Sequence, residues 1–396
     1  MLALSEKRII FASGIQTEKQ SVKQQNQLTK TKEENKMKKT ILFSIMALSA
    51  LIMPQESHAC TGITLHTTTG LPVTARTIEW AGNDLESRYS IVPQGYRQQS
   101  YLPDGTKGGL AFQAKYGYVG LAVQQAEFVV EGINEAGLAA GLFYFPDYGE
   151  YEKYDAAKKD RTISDLQLVS YILGKCRTVD EVKEAVKDLH VVTIDPRGST
   201  VHWRFTEEGG RQIVLEIIGK KPHFYENTLG VLTNSPSFDW HLTNLNNYVN
   251  LQTGRIDKTK IGNMSLHSFG GGSGLHGIPG DMTPPSRFVR AAFFQSSAPR
   301  LDNTEKTIEQ AFHILNNFDI PVGIQFAEGQ EVPDIPSATQ WTVATDLKHR
   351  CIYYRTMHNA NIRYFNLKEI NFKKVKFQSF PLDLKKSQAM ERIKVE

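Results

Sequence analysis

The chain has 396 residues, 40% of them apolar and 22% charged, and its basic residues outnumber the acidic ones by 46 to 42. Nine of the basic and five of the acidic residues precede Cys60, so the remainder carries 37 of each, which excludes the basic footprint of a nucleic-acid binder. Three cysteines, an odd and small number, exclude a disulfide scaffold, and a chain of this length can hold itself together by burial.

Residues 1–36 are polar, rich in Gln, Lys and Thr, and without period. They are expected to be an upstream extension, disordered or not translated, and take no part in the fold. Residues 37–59 read as a signal peptide. Lys38 and Lys39 give the basic start, Ile41 to Met53 is apolar but too short to span a bilayer comfortably, and Ser57 and Ala59 are the small residues before a cut at Cys60. The expectation is an exported protein, periplasmic or extracellular, whose residues 60–396 form a single catalytic domain. Two alternatives use the same segment: a retained N-terminal anchor, and a lipoprotein lipidated at Cys60. The second asks for an aliphatic residue where Ser57 stands, and lipid would cap both thiol and amine. No later apolar run approaches membrane-spanning length, so no stable membrane anchor is expected.

After Cys60, Thr61–Thr67 alternates, Thr68-Thr69-Gly70 signals a turn, and Leu71–Trp80 returns, which predicts a hairpin. Further strands are predicted at Tyr89–Val92, Tyr118–Val123, Phe128–Ile133 and Leu138–Phe145. Thr162–Lys175 has apolar residues at helical spacing, and Thr178 with Glu181 predicts a capping box on a second helix. Strands return at Thr200–Thr206, Gln212–Ile218 and Leu229–Thr233. Helices are predicted at Phe238–Leu251, Pro285–Gln295 and Thr304–Asn316. Gln340–Thr345 and Cys351–Thr356 form a closing hairpin, with Arg363–Phe365 as an edge strand. Sheets near both ends with helices between them, and no internal repeat or dividing linker, predict one α+β domain of two sheets sandwiched by helices.

The chemistry turns on the cut. A chain that starts at Cys60 carries a thiol, ordinarily of pKa ~8.5, and an α-amine of ~7.7–8.0 on one residue, a complete nucleophile and base. The hairpin returns Arg76 alongside, where a guanidinium would favour thiolate, and Glu79 could hold the α-ammonium. On spacing alone, Arg76 and Glu79 fit a solvated surface pair better than a catalytic one. Cys176 and Cys351 lie in apolar runs and read as buried structural residues. Gly272-Ser273-Gly274-Leu275-His276-Gly277 matches the dinucleotide fingerprint in letters, but not between a strand and a helix, and reads as a loop. The histidines, among them His202, His241 and His313, lack metal-ligand spacing and read as structural, so neither metal nor cofactor is expected. Trp203, Trp240 and Trp341 read as core, and so does Trp80, although its place after Glu79 could border a pocket.

Several ordered motifs then converge: Cys60-Thr61-Gly62; Ala75-Arg76-Thr77-Ile78-Glu79-Trp80; Gly132-Ile133-Asn134-Glu135-Ala136-Gly137-Leu138; Gly230-Val231-Leu232-Thr233-Asn234-Ser235-Pro236; Phe238-Asp239-Trp240-His241; and Gly277-Ile278-Pro279-Gly280-Asp281 running into Ser286-Arg287-Phe288. From Cys60 to about Phe365 the chain resembles the choloylglycine hydrolase family, which contains conjugated bile salt hydrolases and penicillin V acylases. The resemblance implies a four-layer αββα N-terminal-nucleophile hydrolase sandwich of two antiparallel sheets. It makes Cys60 the nucleophile, Arg76 and Arg287 the arginines of the site, and Asn234 a side-chain donor to the oxyanion. Two positions depart from it. Glu79 stands where the family has Asp. Phe143 aligns with a position that is Asn in bile salt hydrolases and Tyr in penicillin V acylases, with Tyr144 and Phe145 as neighbouring candidates. A Phe there leaves its backbone N–H as the oxyanion donor. The implied reaction is hydrolysis of glycine- or taurine-conjugated bile salts through a thioester on Cys60, in a pocket walled by Trp80, Phe143, Tyr144 and Phe145. Penicillin V is the alternative substrate, and a lipid-anchored surface protein without catalysis the alternative of another class. The family also implies a homotetramer, although the crossover loop Ile194–Thr200 looks short for one.

Overall fold

The computed structural model describes residues 59–194 and 199–395. The expected extension and all of the expected leader but Ala59, and residues 195–198 of the crossover loop, lie outside the described residues.

The expected hairpin is present. β1 (Ala59–His66) runs antiparallel to β2 (Pro72–Glu79), with Cys60 opposite Ile78 and Gly62 opposite Arg76. Its turn closes because Gly70 takes a left-handed φ of 83° and donates to Thr67 O, while Thr67 Oγ1 accepts from Leu71 N–H at 3.0 Å. The chain continues through β3 (Arg88–Val92), β4 (Tyr118–Ala122), β5 (Val129–Asn134) and β6 (Ala139–Tyr144), then α1 (Leu168–Lys175) and α2 (Val179–Val186). β7 (Val201–Thr206), β8 (Gln212–Ile218) and β9 (Lys221–Glu226) follow, then α3 (Phe238–Asn244), α4 (Pro284–Ser297) and α5 (Thr304–Leu315). β10 (Thr339–Asp346), β11 (Cys351–Thr356), β12 (Asn359–Asn366) and β13 (Gln378–Pro381) close the chain.

These strands make two antiparallel sheets. The first has the order β1-β2-β10-β11-β12, and the second β9-β8-β7-β6-β5-β4-β3-β13. α4 and α5 pack on the first sheet, α1 and α2 on the second, and β1 meets β6 where the sheets face each other. β1 and β2 are therefore covered on both sides, which is why both are buried along nearly their whole length. The result is the expected αββα sandwich.

Departures have local causes. The helix expected from Thr162 begins at Leu168, because Thr162–Ser164 pairs in parallel with His190–Val192 and Asp165–Gln167 makes a 3-10 turn. Thr178 does cap α2, accepting from Glu181 N–H at 3.2 Å, but the Glu181 carboxylate accepts from Arg177 N–H, one residue earlier than a capping box requires. Leu229–Thr233 forms no strand; it makes a single antiparallel bridge, Gly62 to Leu232. α3 stops at Asn244, where a 3-10 turn takes over. The hairpin Arg97–Tyr101 with Lys107–Gln113, and the edge strands β9 and β13, have no clean apolar period because their residues are largely exposed or half-buried.

Candidate active site

Cys60 and Arg76 meet because of strand parity. Cys60 and Gly62 project from the same face of β1, and Arg76, opposite Gly62, projects from that face too. Arg76 Nη2 donates to Cys60 Sγ at 2.9 Å. The rest of the guanidinium is anchored on the second sheet and on its own strand. Nη1 donates to Leu142 O at 2.5 Å and Val130 O at 3.4 Å, Nε to Thr77 O at 3.1 Å, and the Phe143 ring lies 4.0 Å away. Arg76 is fully buried, so it is no solvated surface residue. Gly62 leaves the room: a Cβ there would lie 2.7 Å from Arg204 Nη1 and 3.0 Å from Phe143 Cζ.

Glu79 lies three residues beyond Arg76 and so projects from the other face of β2, opposite Ala59. It is buried and does not pair with Arg76. Its Oε1 accepts a 3.4 Å bond from Thr339 Oγ1, and its Oε2 has no hydrogen-bond partner. Burial pushes this carboxyl up to about 7, against the pull of Arg287.

The Gly62–Leu232 bridge, with bonds of 2.7 and 3.1 Å, delivers Asn234 to the backbone of Cys60. Asn234 Oδ1 accepts from Cys60 N–H at 2.8 Å and from Arg287 Nη2 at 2.7 Å, and Nδ2 donates to Tyr144 O at 2.7 Å. Two donors on one atom and a carbonyl on the other fix which way the amide points. Arg287, from α4, also donates from Nη1 to Cys60 O at 2.5 Å and to Thr61 Oγ1 at 2.9 Å, and from Nε to Met282 O at 2.9 Å. Burial lowers its pKa to about 10, so it stays protonated at neutral pH.

The structure thus brings Cys60, Arg76, Asn234 and Arg287 together, with Glu79 on the adjoining face. The aromatic run differs from expectation. The backbone hydrogen bond to the thiol comes from Tyr144, not Phe143. The Phe143 ring is buried beneath Arg76, and Phe145 is buried on His202 with ring centroids 4.5 Å apart. Neither ring walls a pocket; of the expected wall, only Tyr144 and Trp80 are half-buried, with Trp80 Nε1 donating to Asn83 Oδ1 at 2.8 Å. Trp240, expected in the core, is exposed. Burial raises the Cys60 thiol and outweighs the lowering by Arg76, Tyr144 N–H and Arg287, while Glu79 adds to the rise. With the Ala59–Cys60 peptide bond intact, Arg76 pulls toward thiolate but burial outweighs it.

Spacing gave no sign of five further residues around the site. Glu131 lies 3.6 Å from Arg76 and 3.8 Å from Arg204, a buried trio with Phe143 between the two arginines. His202, Glu216 and His241 surround the Asn234 segment. Cys60, Cys176 and Cys351 are each free and buried. Among the described residues no group of three or more His, Cys, Asp or Glu could hold a metal, and no helix is long and apolar enough to cross a membrane. The fingerprint-like glycines lie around a 3-10 turn at Ser273–Leu275, in a loop.

Residues 60–384 match the family described as linear amide C–N hydrolases, choloylglycine hydrolase family. A bile salt hydrolase/transferase of Clostridium perfringens is 32% identical over 322 residues, 79% of this chain and 93% of its own length. A penicillin V acylase of Pectobacterium atrosepticum is 27% identical over 326 residues, 76% of this chain and 78% of its own. The crystal structure of a mutant conjugated bile acid hydrolase from Clostridium perfringens superposes with a TM-score of 0.71 at 29% identity, covering 85% of this chain and 100% of that one. With the matching sandwich and the cysteine-centred site, this places the chain in the choloylglycine hydrolase family, as a linear-amide C–N hydrolase on the N-terminal-nucleophile fold.

Proposed function

We propose that this protein hydrolyses the amide bond of glycine- or taurine-conjugated bile salts, with Cys60 freed as an N-terminal nucleophile by a cut after Ala59. The observation that carries the proposal is the junction at Cys60: Arg76 holds its sulfur at 2.9 Å while Asn234 holds its nitrogen at 2.8 Å. The cut turns that amide nitrogen into an amine that takes the thiol proton as sulfur attacks the substrate carbonyl. The tetrahedral oxyanion receives Tyr144 N–H and the second hydrogen of Asn234 Nδ2, whose first is committed to Tyr144 O. The amine then gives its proton to the leaving nitrogen, the C–N bond breaks, and a thioester remains on Cys60. Water, deprotonated by the same amine, hydrolyses it to the free acid. The unpartnered Glu79 Oε2, beside the Ala59 end of β1, suits the α-ammonium that the cut creates.

The bile salt assignment draws on the Clostridium perfringens relatives. One observation favours the acylase reading. The residue whose backbone faces the thiol is Tyr144, and Tyr is what the resemblance assigns there to penicillin V acylases. The pattern of residues 37–59 supports export to the periplasm or the medium. A substrate panel on protein beginning at Cys60 tests the assignment. We expect higher kcat/KM for glyco- or tauro-conjugates than for penicillin V. Release of phenoxyacetic acid without release of glycine or taurine overturns the substrate and leaves acyl transfer standing.

A further inference from the structure

Asn234 sits on irregular chain between the Gly62–Leu232 bridge and α3, and a reactive side chain there needs its backbone held. Two buried imidazoles hold it. His202, from β7, has Nε2 3.1 Å from Thr233 O, and His241, from α3, has Nε2 2.8 Å from Asn234 O. Carbonyl oxygens only accept, so both Nε2 atoms carry the proton. A stacked ring sets each plane: Phe145 on His202 at 4.5 Å and 9°, Phe288 on His241 at 4.6 Å and 8°. His202 Nδ1 lies 3.0 Å from Glu216 Oε1, which also accepts Phe238 N–H at 3.0 Å and so ties the clamp to the start of α3. His241 Nδ1 has no hydrogen-bond partner, and burial draws that ring down to about 4, leaving a neutral donor at neutral pH. Thr233 Oγ1 donates to Pro284 O at 3.1 Å and Ser235 Oγ to Pro146 O at 2.5 Å, pinning both flanks.

We propose that His202 and His241 are positioning residues for the reaction, donating to successive carbonyls, Thr233 O and Asn234 O, to fix the backbone from which Asn234 reaches Cys60 and the oxyanion. The proposal rests on Asn234 acting as an oxyanion donor. Neither imidazole is in hydrogen-bond contact with the thiol, and each acts through Asn234. Misplacement by about 1 Å is enough to cost about 10²-fold in rate, so a loosened clamp reads out in kcat.

The test compares His241→Gln, whose amide can donate to the same carbonyl, with His241→Leu and His241→Met, which cannot. Each is the full protein beginning at Cys60, assayed on glycocholate or penicillin V, whichever the unsubstituted protein hydrolyses. The Leu and Met variants are expected to lose at least about tenfold in kcat with KM held within about twofold, while the Gln variant stays within about threefold. Iodoacetamide should alkylate Cys60 at the unsubstituted rate in all of them, since the Arg76 contact is untouched. Donor-free variants that keep full kcat overturn the proposal, as does a Gln variant that falls as far as Leu, the mark of packing alone. If the donor-free variants do not fold, Phe288→Leu keeps the imidazole and removes its stacking partner: kcat should fall with KM held, and an unchanged kcat overturns the proposal. An unsubstituted protein inert on both substrates overturns the proposed function and this inference with it, a result distinct from active protein with indifferent histidines.

Discussion

The two sheets that face each other across Cys60 equip the site differently. The five-stranded sheet delivers side chains: Cys60, Arg76 and Glu79 all stand on β1 and β2. The eight-stranded sheet delivers backbone: Leu142 O and Val130 O receive Arg76, Tyr144 N–H reaches the thiol, and Tyr144 O receives Asn234. Its nearby side chains, Glu131, Phe143 and Arg204, surround Arg76 and not the sulfur. Cys60, Arg76 and Glu79 are thus carried on one sheet, and the backbone of the other holds Arg76 and Asn234. Substitutions that remove a group should cost activity, and those that disturb that hold should cost less or be felt in stability.

The largest effect is expected from Cys60→Ala, which should abolish turnover in any substrate assay and leave thermal unfolding intact, because a small side chain replaces a small one. Asn234→Ala comes next. It should lower kcat by ~10²–10³ with little change in KM, as for other lost oxyanion donors. A rise in KM at constant kcat would make Asn234 a substrate-binding residue.

Glu79→Gln should impair turnover more than Glu79→Asp, because only the former removes the charge. The same residue has a pH signature. In protein that retains Ala59, its folded carboxyl at about 7 holds a proton that the unfolded one, near 4.5, has released. Stability should therefore fall as pH rises from 4.5 to about 7 and level off above, and Glu79→Gln should flatten that fall in thermal unfolding. In protein beginning at Cys60 an α-ammonium beside the carboxylate should flatten it as well. The smallest effect is expected from Gly62→Ala, where side chains of the second sheet pack against β1. A Cβ 2.7 Å from Arg204 Nη1 must displace it, costing about 1–3 kcal/mol in denaturant unfolding.

The side-chain half of the site was legible in the sequence. The turn at Thr68-Thr69-Gly70 sets the register of β1 on β2, and that register puts Arg76 on the Cys60 face. The backbone half was not. Three aromatic residues stand in a row at Phe143-Tyr144-Phe145, and only pairing with β7, which sets Phe143 against His202 and Tyr144 against Val201, decides which one turns inward. The backbone hydrogen bond to the thiol accordingly comes one residue after Phe143, from Tyr144. The His clamp escaped for a related reason. Spacing bears only on metal-ligand patterns and says nothing of a bond from His202 to a carbonyl 31 residues away. Trp240 shows the reverse error, a large apolar residue assigned to the core that α3 turns outward.

The measurement that bears most directly on an N-terminal nucleophile compares two forms of this protein, one beginning at Cys60 and one retaining Ala59. Ala59 is buried in β1 opposite Glu79, so the retained residue leaves the thiol, Arg76 and Asn234 in place and removes only the amine. Each form is verified by intact mass and assayed for amide hydrolysis on the same conjugated bile salt. The form beginning at Cys60 should turn over, and the form retaining Ala59 should not, because its Cys60 nitrogen is an amide without a proton-accepting lone pair. Equal turnover by protein whose mass includes Ala59 would contradict the mechanism.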